Sequence, residues 1–228
     1  MINEINMPTN FEISYKQELI RKCIHLCSLS IPIAYSYLDK EMTLTILIPL
    51  TVFAVSIDLA IKIIKPLREY VLKIFGSIMR PHEVKNEIVL NGASWVLISA
   101  CLCVLVLPKI ATVTGFTVLI ISDTAAALLG KKYGRHKWFD NKSIEGTLAF
   151  IISGLISVYF IGFLINAGWQ YYALITIATI ISGLVEAVSG ILKIDDNFSI
   201  PLSIGAIVYI GDYLLAHVWH YSLSALMQ

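Results

Sequence analysis

The sequence predicts an all-α, polytopic integral membrane protein with about seven transmembrane helices. Hydrophobic residues make up 57% of the 228 residues and charged residues 14%, and the mean hydropathy is +0.77. Soluble domains usually carry about 25% charged residues. The apolar residues also come in runs of about 20, the length that crosses a bilayer as a helix. These observations exclude a soluble enzyme, and we expect no nucleic-acid partner.

Seven apolar segments are the candidate transmembrane helices. They cover roughly residues 19–38, 43–64, 88–107, 109–129, 147–165, 170–193 and 200–219. The short connections at 39–42 and 166–169 predict antiparallel neighbours. Residues 1–17 are polar and are expected to form an N-terminal surface segment. No internal repeat divides the chain, so residues 1–228 are expected to form a single membrane-embedded domain.

The segment 65–87 connects the second and third candidate spans. Pro66 opens it, and Leu67 and Val71 belong to a set of apolar residues at helical spacing, with Arg68 on the opposite face. This pattern predicts an amphipathic helix on the cytoplasmic face of the membrane. Such a helix serves as a connector or a lid, and we favour the connector.

The Lys and Arg residues are distributed unequally between the two sides of the predicted membrane. With seven spans and the N-terminus inside, all but two of the 17 Lys and Arg residues fall in inner segments. The exceptions are Lys40 and Lys109. Because cytoplasmic segments are enriched in Lys and Arg, this split predicts a cytoplasmic N-terminus and an external C-terminus.

A polar stretch from Asp123 to Gly146 separates two of the apolar segments. Its cations are Lys131, Lys132, Arg135, Lys137 and Lys142, and its glycines are Gly130, Gly134 and Gly146. Glycine lets backbone N–H groups approach an anion, and Lys and Arg supply positive charge. The helix predicted to follow offers unpaired N–H groups at its N-terminus. We therefore expect a cytoplasmic loop over 130–146 that binds a phosphate-rich ligand; the alternative is a plain loop that obeys the positive-inside rule.

Polar side chains at membrane depth are the second candidate feature. With a rise of about 1.5 Å per helical residue, Asp123 is expected roughly 10 Å below the cytoplasmic surface. Asp212 is expected deeper. An interhelical hydrogen bond explains any one such residue, but several in one layer indicate a polar cavity open to the cytoplasm. The residues expected in this layer are His25, Asp58, Asn91, Asp123, Glu186, Asp196 and Asn197.

Carboxylates beneath a cationic loop indicate a particular chemistry. Mg²⁺ takes few protein ligands and retains phosphate and water, so carboxylates and phosphate oxygens together suit it. A carboxylate or His beside a bound alcohol can accept the alcohol's proton. The combination indicates transfer of a phosphorus group from a cytosolic nucleotide to a lipid headgroup. The chain has no Gly-x-x-x-x-Gly-Lys-Ser/Thr pattern and no protein-kinase signature, so we expect a nucleotide site of a different kind.

Four sequence patterns now point to one enzyme family. They are Glu18-x-x-Arg21-Lys22-x-x-His25; Asp123-Thr-Ala-Ala-Ala-x-x-Gly130-Lys-x-x-Gly134 with Lys142-Ser143-x-Glu145-Gly146; Glu186; and Asp196-Asn197-x-x-Ile200-Pro201. With these patterns the chain resembles the polyprenol kinase family, which includes dolichol kinase, phytol kinase and CTP-dependent diacylglycerol kinase. The resemblance implies a kinase that uses CTP and Mg²⁺ and phosphorylates a lipid alcohol from the bilayer. An isoprenoid alcohol of the polyprenol, dolichol, phytol or farnesol type is the preferred acceptor.

The resemblance also implies roles for individual residues. The nucleotide-binding residues would be Gly130, Lys131, Lys132, Gly134, Arg135, Lys142, Ser143 and Gly146. The catalytic residues would be Asp123, Glu145, Asp196 and His25, and the metal ligands Asp123, Glu186, Asp196 and Asn197. Simpler explanations exist for some positions: Glu145 complements a helix dipole, Asn197 caps a helix, and Arg21 and Lys22 anchor a span at the inner surface.

Other functions remain open at this point. The central stretch also resembles phosphatidate cytidylyltransferase, a membrane enzyme that makes CDP-diacylglycerol from CTP, although that enzyme's long C-terminal signature is absent. A diacylglycerol acceptor is a further alternative. A transporter would need polar residues through the whole membrane thickness and is disfavoured by the bias to one leaflet. Since the chain is short, it is most similar to compact members of the family, and we expect it in a prokaryotic cytoplasmic membrane with the active site facing the cytoplasm.

Overall fold

A computed structural model describes residues 14–76, 90–139, 142–192, 194–219 and 222–227. The described chain is almost wholly helical, so the all-α prediction is confirmed. Its helices are α1 Tyr15–Cys27, α2 Ser30–Tyr37, α3 Lys40–Ile63, α4 Lys65–Phe75, α5 Gly92–Val106, α6 Lys109–Tyr133, α7 Ile144–Leu164, α8 Trp169–Leu192 and α9 Asp196–Trp219. A short hairpin of β1 Lys137–Phe139 and β2 Lys142–Ser143 joins α6 to α7, and a 3₁₀ turn covers Ser224–Met227.

Within the described ranges, five helices are long and apolar enough to cross a membrane: α3, α6, α7, α8 and α9. The prediction of a polytopic membrane protein agrees with this finding. The number of seven spans stays a prediction: among the described residues α5 is apolar but has only 15 residues, and the first predicted span consists of two shorter helices. The orientation of the chain, with its N-terminus inside, stays a prediction.

The first predicted span, 19–38, consists of two helices. After α1 the N–H groups of Ser28 and Leu29 bond to carbonyls three residues earlier, as in a 3₁₀ turn. Pro32 lies in the first turn of α2 and has no N–H to donate to the carbonyl four residues back. The α-helix is therefore interrupted between α1 and α2. The candidate span 19–38, whose apolar run Pro32 interrupts in the sequence, therefore consists of two helices, and its passage through the membrane stays a prediction.

The N-terminal part of α1 extends into the predicted surface segment. Ser14 caps the helix by accepting a hydrogen bond from the Gln17 N–H, and the Gln17 side chain accepts one from the Ser14 N–H. This reciprocal capping box fixes the start of α1 at Tyr15. Residues 1–13 of the predicted segment 1–17 lie outside the described residues.

The predicted connector contains a helix, α4, which begins beside Pro66. Proline in the first turn is favourable because its missing N–H would have no intrahelical partner there. Residues 77–87 of the predicted connector lie outside the described residues. The location of α4 on the cytoplasmic face stays a prediction.

Helix α6 lies at the centre of the fold. Its Phe116, Val118 and Leu119 side chains are fully buried, and α7 and α9 pack along it. Gly115 permits close contact with α9, since a Cβ there would lie 3.0 Å from the Pro201 carbonyl oxygen. The polar segments at the end of α6 and the beginnings of α7 and α9 are held in one region by this packing.

The segment 130–146 is not a single loop as predicted. Helix α6 continues to Tyr133, through a run of Ala and Leu residues that favour helix, so residues 130–133 are helical. Helix α7 begins at Ile144, with the Ser143 hydroxyl accepting a hydrogen bond from the Gly146 N–H. The connection is therefore limited to 134–143 and contains the β1–β2 hairpin, in which Lys137 faces Ser143.

Candidate active site

A cavity of about 490 Å³ lies where α6 ends and α7 and α9 begin. Five elements besides the hairpin contribute to its wall: α1, α6, α7, α8 and α9. Its charged lining residues are the acids Glu18, Asp123, Glu186 and Asp196 and the cations Arg21, Lys22, Lys131, Lys137 and Lys142. The small residues Ala126, Ala127, Gly130, Gly134, Ser143, Gly146 and Thr147 complete the lining.

Three carboxylates from three helices meet in this cavity. One carboxylate oxygen each from Asp123, Glu186 and Asp196 lies within 4.8 Å of the other two. Asp123 belongs to α6, Glu186 to α8, and Asp196 begins α9. Asp123 and Glu186 are buried, with 9% and 3% of their surface exposed. Like charges so close together are unfavourable without nearby cations.

Two lysines supply that positive charge. The Lys22 ammonium group contacts Asp123 Oδ2. The Lys142 ammonium group contacts Glu186 Oε1 and lies 3.1 Å from Asp196 Oδ2, bridging two of the three acids. His25 also belongs to the cluster, with its Nε2 3.5 Å from Asp123 Oδ2. Every carboxylate of the cluster therefore has a lysine partner.

The surroundings of Lys142 affect its pKa in two opposing ways. Burial lowers the pKa, because it penalises the charged ammonium. Asp196 and Glu186 oppose this effect and raise the pKa above its usual value. Lys142 is therefore a permanent cation at physiological pH.

Helix α1 presents a charged face to the cavity. Glu18, Arg21, Lys22 and His25 follow one another at three- and four-residue spacing, which keeps them on one side of the helix. Arg21 Nη2 lies 2.5 Å from Glu18 Oε1. Glu18 and Lys22 are buried, although α1 as a whole is polar. The sequence left Lys22 open between a membrane anchor and a functional residue, and the structure places it at the cavity.

The three glycines at the junction of α6 and α7 surround Ser143. A Cβ on Gly130 would lie 3.2 Å from the Gly146 Cα, and one on Gly134 would lie 2.5 Å from the Ser143 Oγ. A Cβ on Gly146 would lie 3.3 Å from the Gly130 Cα. Because these residues have no side chains, α6 and α7 approach each other closely at the cavity wall. The glycines therefore have a packing role, in addition to the predicted one of letting backbone N–H groups approach an anion.

The donor set fits a divalent cation such as Mg²⁺. Mg²⁺ prefers oxygen ligands and binds through a few carboxylates while it keeps water and substrate phosphate. Asp123, Glu186 and Asp196 offer such oxygens at mutually compatible distances. Asp196 Oδ1 is buried and has no hydrogen-bond partner among the described residues, which leaves a free ligand atom at the site.

Comparison with known proteins identifies relatives. No family model and no solved structure matches the chain. An uncharacterised protein of Rickettsia prowazekii is 29% identical over 86% of this chain and 95% of its own length. CTP-dependent diacylglycerol kinase 1 of Saccharomyces cerevisiae is 29% identical over 56% of this chain and 49% of its own length. Phytol kinase of a Synechocystis species is 34% identical over 44% of each chain.

The chain is a relative of the polyprenol kinase family. The two kinases above are members that the sequence motifs had already indicated, and a second CTP-dependent diacylglycerol kinase, from Schizosaccharomyces pombe, also matches. The chain spans about half the length of the budding-yeast kinase and somewhat less of the phytol kinase. The chain is thus related in sequence to lipid kinases of this family, and the acceptor named for these relatives differs among them.

Most predicted site residues of this polyprenol kinase relative line the cavity. The structure brings together Asp123, Glu186, Asp196, Gly130, Lys131, Gly134, Lys142, Ser143 and Gly146, with His25 beside Asp123. Lys132 and Arg135 are exposed and do not line the cavity. Lys137, Glu18, Arg21 and Lys22 line it but were not among the predicted site residues.

Glu145 and Asn197 have partners outside the carboxylate cluster. Glu145 accepts hydrogen bonds from the His136 backbone N–H and lies 2.7 Å from the His136 ring nitrogen, across the base of the hairpin. The Asn197 backbone and side-chain N–H groups both donate to Asp195 Oδ1. The structure thus places Glu145 in a contact that closes the hairpin and places Asn197 in the first turn of α9, where Asp195 accepts its hydrogen bonds.

The remaining polar residues of the predicted layer join helices. Asp58 of α3 accepts hydrogen bonds from the Asn91 backbone N–H, at 2.9 Å, and from the Asn91 side chain. Asp212 accepts hydrogen bonds from the N–H groups of Leu223 and Ser224. These carboxylates fix α3 to the start of α5 and α9 to the C-terminal turn, and they do not line the cavity.

Proposed function

We propose that this protein is a CTP-dependent kinase that transfers the γ-phosphoryl group to a membrane lipid alcohol. The observation that carries the proposal is the meeting of Asp123, Glu186 and Asp196 with several cations in one cavity. The names of its relatives, which include CTP-dependent diacylglycerol kinases and a phytol kinase, support a lipid kinase and CTP as the donor.

The cations of the cavity suit the nucleotide phosphates. Lys131, Lys137 and Lys142 all line it, and each offers an ammonium group to phosphate oxygens. The start of α7 beside Ser143 adds the positive end of a helix dipole. These residues bind and orient the triphosphate so that its γ-phosphorus is presented to the acceptor.

The carboxylates suit the metal that accompanies the nucleotide. Asp123, Glu186 and Asp196 would hold Mg²⁺. A bound Mg²⁺ supplies positive charge that stabilises the phosphate oxygens during transfer. The contact with Lys22 holds the Asp123 carboxylate in place, which fixes one edge of the site.

The transfer itself needs a group that accepts the proton of the alcohol. The acceptor oxygen bonds to the γ-phosphorus, the bond from that phosphorus to the bridging oxygen breaks, and CDP leaves. We assign the proton to His25 Nδ1, because the other ring nitrogen, Nε2, faces Asp123 Oδ2 at 3.5 Å and this contact orients the ring. Glu145 faces His136 and is the weaker candidate for this role.

The acceptor we favour is an isoprenoid alcohol. This preference comes from the motif resemblance, and the phytol kinase among the relatives supports it. The diacylglycerol kinases among the relatives make diacylglycerol the alternative acceptor. We further propose that residues 1–228 form one catalytic domain in a cytoplasmic membrane, with the cavity open to the cytoplasm, as the distribution of Lys and Arg indicates.

The proposal is tested with purified protein in detergent, Mg²⁺ and CTP carrying a labelled γ-phosphate. The acceptors are farnesol, phytol, a long polyprenol, diacylglycerol and phosphatidate. We expect label in an extracted lipid, and the panel then identifies the acceptor. Labelled pyrophosphate with phosphatidate alone would show cytidylyl transfer and overturn the kinase assignment. Transfer of label from ATP and not from CTP would overturn the choice of nucleotide.

A further inference from the structure

The position of Lys142 suggests how the negative charges of Glu186 and Asp196 are balanced before substrates bind. We propose that the Lys142 ammonium group occupies the place of a divalent cation between Glu186 and Asp196, and that it leaves when the metal enters. Its nitrogen contacts Glu186 Oε1 and lies 3.1 Å from Asp196 Oδ2. Both residues belong to the set of three whose carboxylate oxygens lie within 4.8 Å of one another.

A metal cannot bind to Glu186 and Asp196 while the Lys142 ammonium group stays between them. Glu186 has its contacting oxygen on Lys142, so a metal that took this oxygen would meet the ammonium group at close range. Two cations at such a distance repel strongly in a partly buried site. A metal bound by Glu186 and Asp196 and a lysine in its present position therefore exclude each other.

Lys142 is better suited to move than Lys22. The Lys142 side chain is 31% exposed and belongs to the two-residue strand β2, next to the beginning of α7. The Lys22 side chain is 4% exposed and belongs to helix α1. An exposed route for the ammonium group exists only for Lys142 of these two cluster lysines. Lys22 therefore stays on Asp123 while Lys142 is the exchangeable cation.

The exchange couples metal binding to nucleotide binding. A released Lys142 would remain in the same cavity, which it lines together with Lys131 and Lys137. Under the proposed function, on which this step rests, the Lys142 ammonium group would then pair with an oxygen of a nucleotide phosphate. Metal alone would have to displace the lysine without that compensation, so the protein free of nucleotide should bind metal weakly.

The first test measures Mn²⁺ binding to the nucleotide-free protein, by electron paramagnetic resonance of free Mn²⁺. Lys142→Met keeps the length of the side chain and removes its charge. We expect this variant to bind Mn²⁺ at least about tenfold more tightly than the wild type, because the competing cation is gone. Unchanged or weaker Mn²⁺ binding by a folded Lys142→Met protein would overturn the proposal.

Two controls make this result specific. Lys132→Met removes a positive charge from the same region, at an exposed residue outside the cavity. We expect it to change Mn²⁺ affinity by less than about twofold, since exposed charges are screened by salt. Lys142→Arg retains a cation, and its Mn²⁺ affinity should stay close to that of the wild type. Equal tightening in Lys132→Met and Lys142→Met would contradict a local exchange.

A second measurement uses the wild-type protein and does not depend on any variant folding. Lysine side chains are labelled with an amine-reactive reagent, and the extent of labelling is read for each residue by mass spectrometry. Saturating Mn²⁺ should increase labelling of Lys142 several-fold and leave Lys22 protected. No increase at Lys142 under saturating Mn²⁺ would overturn the proposal.

The two proposals fail in different ways. If Lys142→Met binds Mn²⁺ more tightly but the wild type transfers no phosphate from any nucleotide, the proposed function is wrong and the exchange stands. If the wild type is an active kinase but Lys142→Met has unchanged Mn²⁺ affinity, the exchange is wrong and the proposed function stands.

Discussion

The ammonium group of Lys22 contacts the carboxylate of Asp123, 101 residues later in the chain. Both side chains are buried between α1, which carries Lys22, and α6, which carries Asp123. This pair connects the first helix to the candidate active site. It also gives Lys22 a function beyond that of an anchor at the membrane surface.

We expect Lys22→Met and Asp123→Asn each to abolish turnover and to destabilise the protein. Removing one partner leaves the other charge buried and unpaired, which typically costs about 3–5 kcal/mol. The double variant removes both charges and should recover part of the stability without recovering activity. Thermal unfolding in detergent and a labelled-CTP assay measure the two effects.

The outcome that contradicts this interpretation is specific. If the double variant is destabilised by the sum of the two single effects, the residues do not interact in solution. Wild-type activity in Asp123→Asn would remove Asp123 from the mechanism. Wild-type activity in a stable Lys22→Met protein would restore the reading of Lys22 as an anchor.

Asp196 and Glu145 should differ sharply in importance. Asp196 lies in the carboxylate cluster, whereas Glu145 pairs with His136 at the base of the hairpin. We expect Asp196→Asn to lower kcat by at least about 100-fold and Glu145→Gln by less than about tenfold. Initial rates at saturating CTP measure both. The reverse order would return Glu145 to the catalytic role that its sequence motif implies.

Much of the fold follows from long apolar runs. The predicted spans at 109–129, 147–165, 170–193 and 200–219 agree with α6 to α9 to within four residues at each end. Each run is predominantly apolar and close to the thickness of a bilayer, so length and composition define it. The first span differs because Pro32 interrupts its apolar run and has no N–H with which to continue an α-helix from the preceding turn.

The site could be predicted where membrane depth constrains it. Asp123 and Glu186 are costly inside a span, and this cost made them candidates for a functional site. The same cost applies to Asp58 and Asp212, which join helices outside the cavity. Lys22 was left out of the predicted site because a cation near the end of a span also satisfies the positive-inside rule, and the sequence does not decide between the two roles. The position of Glu145 depends on the hairpin geometry, which sequence spacing does not determine. Local sequence therefore identified the buried charges but not all of their partners.

Gly134 should be sensitive to the addition of a single methyl group. A Cβ there would lie 2.5 Å from the Ser143 Oγ and closer still to the Gly130 carbonyl oxygen. We expect Gly134→Ala to destabilise the protein by about 1–3 kcal/mol through overpacking and to impair CTP use. Thermal unfolding and the CTP dependence of the rate measure these effects.

Gly92→Ala is the matched control for this substitution. Gly92 begins α5, and among the atoms of the described residues a Cβ there would meet only the Asn197 side-chain nitrogen, at 3.3 Å. That nitrogen ends a side chain, so a shift of a few tenths of an ångström relieves the contact. We expect near wild-type stability for Gly92→Ala. Equal destabilisation by both substitutions would argue against a special packing role for Gly134.

The pH dependence of stability offers a test of the charge on Lys142. Its neighbours raise its pKa, so the ammonium form is favoured in the folded protein. The resulting stabilisation is fully present below the unfolded pKa of about 10.4 and is lost only as the pH rises through the still higher folded pKa. The difference in melting temperature between the wild type and Lys142→Met should therefore be constant from pH 7 to pH 9. A decline within this range would show that Lys142 loses its proton there.

The measurement that tests the central claim most directly follows the α-phosphate and the γ-phosphate of CTP in parallel reactions. CTP labelled at the α- or the γ-phosphate is incubated with Mg²⁺, the accepted lipid, and either wild-type protein or Asp196→Asn. We predict γ-label in the lipid and α-label in CDP for the wild type, and neither product for the variant. Label from the α-phosphate in the lipid, or full transfer by Asp196→Asn, would contradict a kinase whose chemistry takes place at the carboxylate cluster.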